Sequence, residues 1–352
     1  MVKTTNKYSN KKIVWFPEKL NSFKDGRITP PIYVRIKPIN KCCHSCSFCI
    51  YRAKNVHMHE TMNESDMLPK DKLFEVLDDL KDMGTKCVTY SGGGEPLMHP
   101  NIAEAMQRTL DNGLDLSLLT NAQLLNGKRA EVLSKAKWIR ISMDYYDAES
   151  FVKSRGGNEK MFDQIISNII EFNKIKNDVC ELSVNYIITK ENVDNIHEMT
   201  KLLKEIGINN IRYFPVQVDN YVEYHRNITK EVSYILECTK KFYENSEFKI
   251  YDGYKIEPES FKRPYNRCYI MQTIPVIGAD SFVYNCHNKA YSTDGIIGSI
   301  KNQSFKQLWF SEETKKHFDK FNPQICCKCF CANDNKNIFI HELLNAYGDN
   351  FV

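Results

Sequence analysis

Three cysteines stand close together in the segment KCCHSCSFCIYR, as Cys42-x3-Cys46-x2-Cys49. Thiolates at this spacing can bind three irons of a 4Fe–4S cube and leave the fourth iron open to an exchangeable ligand. A structural zinc ion normally takes four protein ligands, and Cys43 or His44 could supply the fourth, so zinc is the alternative chemistry at this loop. Four cysteines so crowded do not suit inert core packing.

A second group follows far downstream: Cys268, Cys286, Cys326, Cys327, Cys329 and Cys331. Widely spaced cysteines brought together by a small fold are the usual way to complete four thiolate ligands, which predicts a second metal site. Cys286 lies 18 positions after Cys268 and precedes the close pair Cys326 and Cys329, a spacing that suits a zinc ribbon or an iron–sulfur cluster equally well. Between the two groups lies SGGGEP, residues 91–96, where glycines let the backbone approach a ligand and Glu95 can accept hydrogen bonds from an ammonium group.

These residues need elements to hold them. β-rich runs at 33–39, 87–92, 115–121, 138–144, 181–189 and 210–217 alternate with amphipathic stretches starting near Pro69, Asn101, Asn126, Lys160 and Val193, and a sixth helix fits Thr229 to Glu244. The alternation predicts βα units around a parallel sheet, either a partial barrel or an open doubly wound sheet. Thr120, Asn121, Ser142 and Asp144 then sit at strand C-termini, where parallel α/β sheets place their binding crevice. After about Phe261 the pattern shifts to short strands, turns and cysteines, which marks a second, smaller domain.

Composition narrows the function classes. The chain has 352 residues, 42% hydrophobic and 26% charged, with 13 cysteines and a formal charge of +4. It reads as an ordered globular protein whose scattered lysines give no support for a nucleic-acid partner. The polar, basic start and the lack of any long apolar run predict a cytoplasmic protein with no membrane association. In that reducing compartment cysteines point to metal or redox chemistry rather than disulfides.

The Cys42/Cys46/Cys49 triad after the first strand, followed by GGE at 93–95, resembles the radical S-adenosylmethionine (SAM) superfamily. The resemblance implies an α/β fold, a (β/α)6 partial TIM barrel with a small C-terminal cysteine-rich domain. It implies a SAM-binding 4Fe–4S cluster on Cys42, Cys46 and Cys49, and SAM contacts from Phe48, Gly93, Gly94, Glu95, Thr120, Asn121, Ser142, Asp144 and Arg155, the last a carboxylate-binding arginine. VIGADSFVYNC (residues 276–286) is similar to the motif of SPASM and twitch auxiliary-cluster domains, with Ser281 where glycine is usual. That implies a second 4Fe–4S cluster, with Cys268, Cys286, Cys326 and Cys329 as the best ligand set and Cys327 and Cys331 as alternates. The expected layout is a 1–30 extension, a 31–255 core, a 256–335 auxiliary domain and a 336–352 docking helix or tail. The expected activity is reductive SAM cleavage and hydrogen abstraction for oxidation or epimerisation of a small polar metabolite such as a sugar or cyclitol, with an electron donor such as flavodoxin or ferredoxin. A peptide- or protein-modifying maturase is the alternative, and a non-catalytic iron–sulfur or zinc protein is the alternative of another class. Tyr213, Tyr221, Tyr224, His225 and Arg226 mark a loop where substrate contacts or plain surface are both expected, and Cys87 and Cys180 read as core packing.

Overall fold

The computed structural model describes residues 9–53, 56, 58–256, 262–326, 331 and 333–346. Seven parallel strands follow one another: β1 (Tyr33–Ile36), β2 (Cys87–Tyr90), β3 (Asp115–Thr120), β4 (Trp138–Ser142), β5 (Glu181–Ile188), β6 (Asn210–Pro215) and β7 (Lys249–Asp252). Three short strands, β8 (Val276–Ile277), β9 (Phe282–Tyr284) and β10 (Ile296–Ser299), complete one sheet of order β10-β9-β8-β1-β2-β3-β4-β5-β6-β7.

This order decides between the two sheet architectures. A doubly wound sheet reverses its strand order at a switch point, whereas here β1 to β7 run in sequence. Right-handed crossovers between sequential parallel strands put every helix on one face and curl the other face into a barrel interior. β7 and β10 are the two edges, so the barrel is partial. Beyond the six expected strands, β7 adds a seventh at one edge. β8 pairs in parallel with β1, so the C-terminal hairpin extends the same sheet.

Each βα unit forms for a local reason. In the helix Lys70–Met83, Leu73, Val76, Leu77 and Leu80 recur at helical spacing and are fully buried, and Gly84 ends the helix at φ +80. On the strands, Val34, Ile36, Ile139, Ile141, Ile211 and Tyr213 face the helices and are all 0% exposed. Their alternates Arg35, Arg140 and Arg212 therefore face the interior, where they are only half-buried. The helix Pro17–Lys24 packs its Phe23 with Tyr269, Ile270 and Ile340, closing the N-terminal extension over the C-terminal helix Asp334–Asn345.

Candidate active site

The cysteine loop leaves the C-terminal end of β1 and is fixed from two sides. On one side the turn after β2 holds it, as Gly94 N donates to Ile39 O at 3.3 Å and Glu95 N to Lys41 O at 3.0 Å. A Cβ on Gly94 would lie 2.1 Å from Lys41 O, and one on Gly93 would lie 2.3 Å from Asn40 Oδ1, so packing alone requires glycine at both positions. On the other side stands the helix Ala148–Arg155, started by a capping box between Asp147 and Ser150 and ended by Gly156 at φ +66. Its last carbonyls, orphaned in any helix, accept from the loop: Ser45 N donates to Arg155 O at 2.8 Å and Ser47 N to Ser154 O at 3.3 Å. Cys46 lies between these two anchors.

Barrel side chains then donate to the thiols. Arg155 Nη1 reaches Cys46 Sγ at 3.1 Å, and Asn121 Nδ2 reaches Cys43 Sγ at 3.3 Å and Cys42 Sγ at 3.9 Å. Arg52 Nη1 lies 3.9 Å from Cys49 Sγ while its Nη2 donates to Asn40 O at 2.7 Å. N–H donors to sulfur stabilise thiolate ligands, and soft sulfur donors suit an iron–sulfur cluster. Burial pushes the Cys46 thiol up, and the Arg155 charge opposes that shift. Among the described residues no three Cys, His, Asp or Glu side chains converge as a single ion would require. A cube places each ligand on a different iron and needs no such convergence.

Glu95, 2% exposed, ties the ends of β2 and β3 together: Oε1 accepts from Leu97 N at 3.0 Å and Thr120 Oγ1 at 2.7 Å, and Oε2 from Asn121 N at 2.8 Å. Burial raises its pKa, and these three donors work against the rise. Asp144 and Arg155 form a buried ion pair, with Nε to Oδ1 at 2.8 Å, and the guanidinium lies 5.3 Å from the Phe48 ring and 5.4 Å from Tyr145. Burial works against the Arg155 charge, yet Asp144 and Cys46 hold its pKa above the ordinary value. Asp144 Oδ2 is buried with no hydrogen-bond partner. Asp144 lines a cleft of about 510 Å³ together with Phe48, Tyr146, Lys153, Asn192 and Tyr224, and Arg155 lies behind it. Ser142 ends β4 beside Asn185 and makes no side-chain bond to this cluster. A larger depression of about 770 Å³, around Asp66 and Asp280, contains none of these residues.

The structure thus gathers Cys42, Cys46, Cys49, Phe48, Gly93, Gly94, Glu95, Thr120, Asn121, Asp144 and Arg155 at one mouth of the barrel. Three members of the Tyr/His-rich loop region do not join them. Tyr213 is buried with its hydroxyl on Thr200, Tyr221 donates to Lys255 O at 3.0 Å, and His225 is 0% exposed between Tyr254 and Val216. Packing against the neighbouring helices takes these side chains, whereas Tyr224 lines the cleft and Arg226 is exposed.

At the other cysteine group, Asn337 Nδ2 lies 3.5 Å from Cys268 Sγ. The Cys331 thiol is pushed up first by burial, then by Asp334, and further by Cys286 and Cys268, which places these three cysteines in one neighbourhood. Cys331 is an alternate of the expected ligand set. Cys326 ends a turn on Pro323, while Cys327 and Cys329 lie outside the described residues. Sequence reasoning missed Arg52 and the interior arginines, although the period-two alternation along β1, β4 and β6 carried the signal for the latter.

Comparison with known proteins agrees with this architecture. Residues 36–203 match the Radical SAM superfamily model and residues 268–331 match SPASM, an iron–sulfur cluster-binding domain. A probable GTP 3′,8-cyclase of Methanococcus aeolicus is 25% identical over 244 residues, 66% of this chain and 76% of the relative. A PqqA peptide cyclase of Gluconobacter oxydans is 24% identical over 179 residues, 51% of this chain and 48% of the relative. The structure of Streptococcus suis SuiB bound to precursor peptide SuiA shares the fold with a TM-score of 0.65 at 17% identity, covering 91% of this chain and 74% of SuiB. No helix among the described residues is long and apolar enough to cross a membrane. The chain belongs to the radical SAM superfamily, whose core implies a 4Fe–4S cluster and SAM, and it carries a C-terminal SPASM domain that implies auxiliary iron–sulfur binding.

Proposed function

We propose that this protein cleaves SAM at a cluster held by Cys42, Cys46 and Cys49 and oxidises a small polar substrate lodged in the barrel, the 5′-deoxyadenosyl group taking one hydrogen atom and the auxiliary cluster at the C-terminal cysteines being the group that would accept the second electron as a proton leaves. The observation that supports it is the convergence of the cysteine loop with Asn121, Arg155 and the Gly93–Glu95 turn at the barrel mouth. When bound, the reduced cluster supplies the electron that divides SAM into methionine and a 5′-deoxyadenosyl radical. The protein's own residues bind and orient. Glu95 holds the GGE turn rigid, Arg155 offers a guanidinium to the SAM carboxylate, and Phe48, Thr120, Asn121, Ser142 and Asp144 border the nucleoside. Burial of the Asp144–Arg155 pair keeps water from the reacting end.

Oxidation is favoured over epimerisation because epimerisation needs a thiol to return a hydrogen atom. Cys180 is 1% exposed, Cys87 starts β2 at the far end of the barrel, and Cys238 lies exposed on the helix Thr229–Tyr243. Among the described residues Cys43 is the one thiol near the mouth outside the triad, and its sulfur already accepts from Asn121. Cys43→Ala therefore keeps the product unchanged in an oxidase and stops turnover in an epimerase. A peptide substrate is the second reading, favoured by the PqqA peptide cyclase relative and the peptide-bound SuiB together with the solvent-facing cleft.

Anaerobic reconstitution with iron and sulfide, reduction and addition of SAM test the proposal. Wild type is expected to form 5′-deoxyadenosine with about eight irons per chain, and a Cys42/Cys46/Cys49 triple alanine variant none with about four. Zinc at both sites with no deoxyadenosine would overturn it.

A further inference from the structure

Arg52 stands one turn of chain beyond the third cysteine of the loop. Arg52 N donates to Cys49 O at 2.9 Å and Ala53 N to the same carbonyl at 2.7 Å, so the backbone coils as it leaves Cys49 and brings residue 52 back beside residue 49. The side chain then reaches four groups. Nη1 lies 3.9 Å from Cys49 Sγ and donates to Gly93 O at 3.3 Å, Nη2 donates to Asn40 O at 2.7 Å, and Nε donates to Glu64 Oε1 at 2.6 Å. Asn40 is itself held, since its Nδ2 donates to Asn63 O at 2.9 Å and its Oδ1 accepts from the Tyr291 hydroxyl at 2.6 Å. One guanidinium thus joins the cysteine loop, the segment after β1, the GGE turn and the Glu64 loop, and its planar fork is fixed by all of them.

Two arginines reach cysteines of this loop, and their counter-charges differ. Arg155 pairs with Asp144, whose side chain is fully buried, so the two charges cancel at close range out of contact with water. The Arg52 side chain is 19% exposed while its partner Glu64 is 62% exposed, so water screens the carboxylate more than the guanidinium. A net positive field therefore remains on the Cys49 side. An iron–sulfur cluster gains one negative charge on reduction, and a fixed cation beside a ligand sulfur favours the reduced form. An N–H group directed at that sulfur acts in the same direction.

We propose that Arg52 is a positioning residue that raises the reduction potential of the cluster held by Cys42, Cys46 and Cys49, with Glu64 as the opposing charge that limits the rise. The assignment rests on the cluster reading above and deepens it. One electron from an external reductant enters the cluster, and the guanidinium stays charged throughout because an arginine does not deprotonate in a protein. The same side chain holds Gly93 O, so the charge beside Cys49 and the geometry of the GGE turn are set together.

The test is a redox titration of the reconstituted full chain followed by electron paramagnetic resonance, in which the first cluster is the reduced signal that added SAM changes. At a fixed solution potential the reduced-to-oxidised ratio of that cluster should fall about tenfold in Arg52→Gln, a downward shift of about 59 mV for a one-electron couple. Arg52→Lys should recover part of the fall, since the charge stays while the fork is lost. Glu64→Gln should move the potential upward, and Arg108→Gln, at an exposed pair with Asp78 on the outer helices, should leave it unchanged. A merely structural arginine would not give opposite signs from the two partners of one ion pair. Iron per chain is measured on every variant, and where Arg52→Gln does not load, Glu64→Gln at its exposed carboxylate decides alone. An unmoved potential in Arg52→Gln, or no rise in Glu64→Gln, would each overturn the assignment. So would an equal shift of the signal that SAM leaves unchanged, which would mark a general effect of charge. A loaded wild type with no SAM-responsive signal would sink the cluster reading and the role of Arg52 with it, whereas a SAM-responsive signal whose potential ignores both variants would sink only the role of Arg52.

Discussion

Each cysteine region is built beside one buried aspartate–arginine pair, and the two pairs are used differently. Near the first group Arg155 and Asp144 are 5% and 0% exposed, and near the second Arg263 and Asp334 are 8% and 6% exposed. Asp334 accepts from Arg263 Nε at 3.0 Å and from the Tyr265 hydroxyl, and Arg263 Nη1 donates to Pro323 O at 3.1 Å. Those bonds clasp three chain segments around Cys331, whose carbonyl accepts from Asp334 N at 3.0 Å. Asp144 instead keeps Oδ2 unpartnered, and Arg155 spends its third contact on Cys46. Equal burial thus hides unequal spare hydrogen-bonding capacity, and spare capacity beside a cleft is what a ligand can use.

The largest effects come from cutting these pairs. Removing one partner of a buried ion pair costs about 3–5 kcal/mol because the other charge is left stranded. Asp334→Ala should lose that much stability in urea and release iron from the C-terminal site with it, whether or not SAM is present. Asp144→Ala should lose a similar amount without SAM and recover much of it at saturating SAM, as Arg155 takes the SAM carboxylate instead. Equal losses with and without SAM would break the distinction between clasp and receptor.

Glu95→Gln sharpens the same contrast at a smaller scale. The carboxylate takes three donors, and a glutamine amide would turn N–H against N–H at one of them. A buried mismatch of this kind costs about 2–3 kcal/mol. The effect should fall on deoxyadenosine formation and on iron at the first site, with C-terminal iron retained. Loss of iron from both sites would show that the two regions fold as one unit.

His59 belongs to the seam between the regions. It is 2% exposed, its Nδ1–H donates to Ala290 O, and its ring lies 4.5 Å from Tyr51. Burial holds its pKa down to about 4, helped by the charges of Lys37 and Lys289 and opposed by the Ala290 bond. With a folded pKa below the ordinary 6.5, the neutral ring contributes stability that is complete above pH 6.5 and is lost as pH falls through 4. The slope reaches about 1.4 kcal/mol per pH unit and is half that at pH 6.5, so about 1.5 kcal/mol should go between pH 6.5 and 5. His59→Asn accepts the φ of +63 and should flatten that loss in urea titrations. An unchanged pH slope would place the acid-sensitive group elsewhere.

Legibility in the sequence follows the same division. The first candidate site could be located because its cysteines are close in sequence and because βα alternation fixes which strand ends carry Glu95, Asn121 and Asp144. The docking of Ser45 and Ser47 on the end of the helix Ala148–Arg155 could not, since that short helix has no strong apolar stripe. The second site was legible as a composition of cysteines but not as a choice among them, because Cys268, Cys286 and Cys331 meet only after β8 adds to β1. The interior arginines were legible in part: the alternation along β1, β4 and β6 puts Arg35, Arg140 and Arg212 on one face, and only the strand order shows that this face is the barrel interior. Periodicity reports which face a residue occupies, whereas closure decides which faces confront one another.

The smallest effect concerns Ser281, the residue standing where similar auxiliary-domain motifs carry glycine. Its φ is +65, in the left-handed region, and its position is fixed by Ser281 N donating to Gly278 O at 3.1 Å and Ser281 O accepting from Ile300 N at 2.9 Å. An L-residue pays about 1–2 kcal/mol for that conformation. Glycine would escape the strain but lose about 0.5–1 kcal/mol more chain entropy on folding. Ser281→Gly should therefore gain about 0.5–1 kcal/mol in urea, and because the β8–β9 turn leads into Cys286, the gain should appear as slower loss of C-terminal iron under chelation, with the first site unmoved. Ser281→Val, β-branched and disfavoured at positive φ, should move both readouts the other way. A loss from the glycine variant would mean that the serine hydroxyl contributes more to this turn than its backbone strain removes.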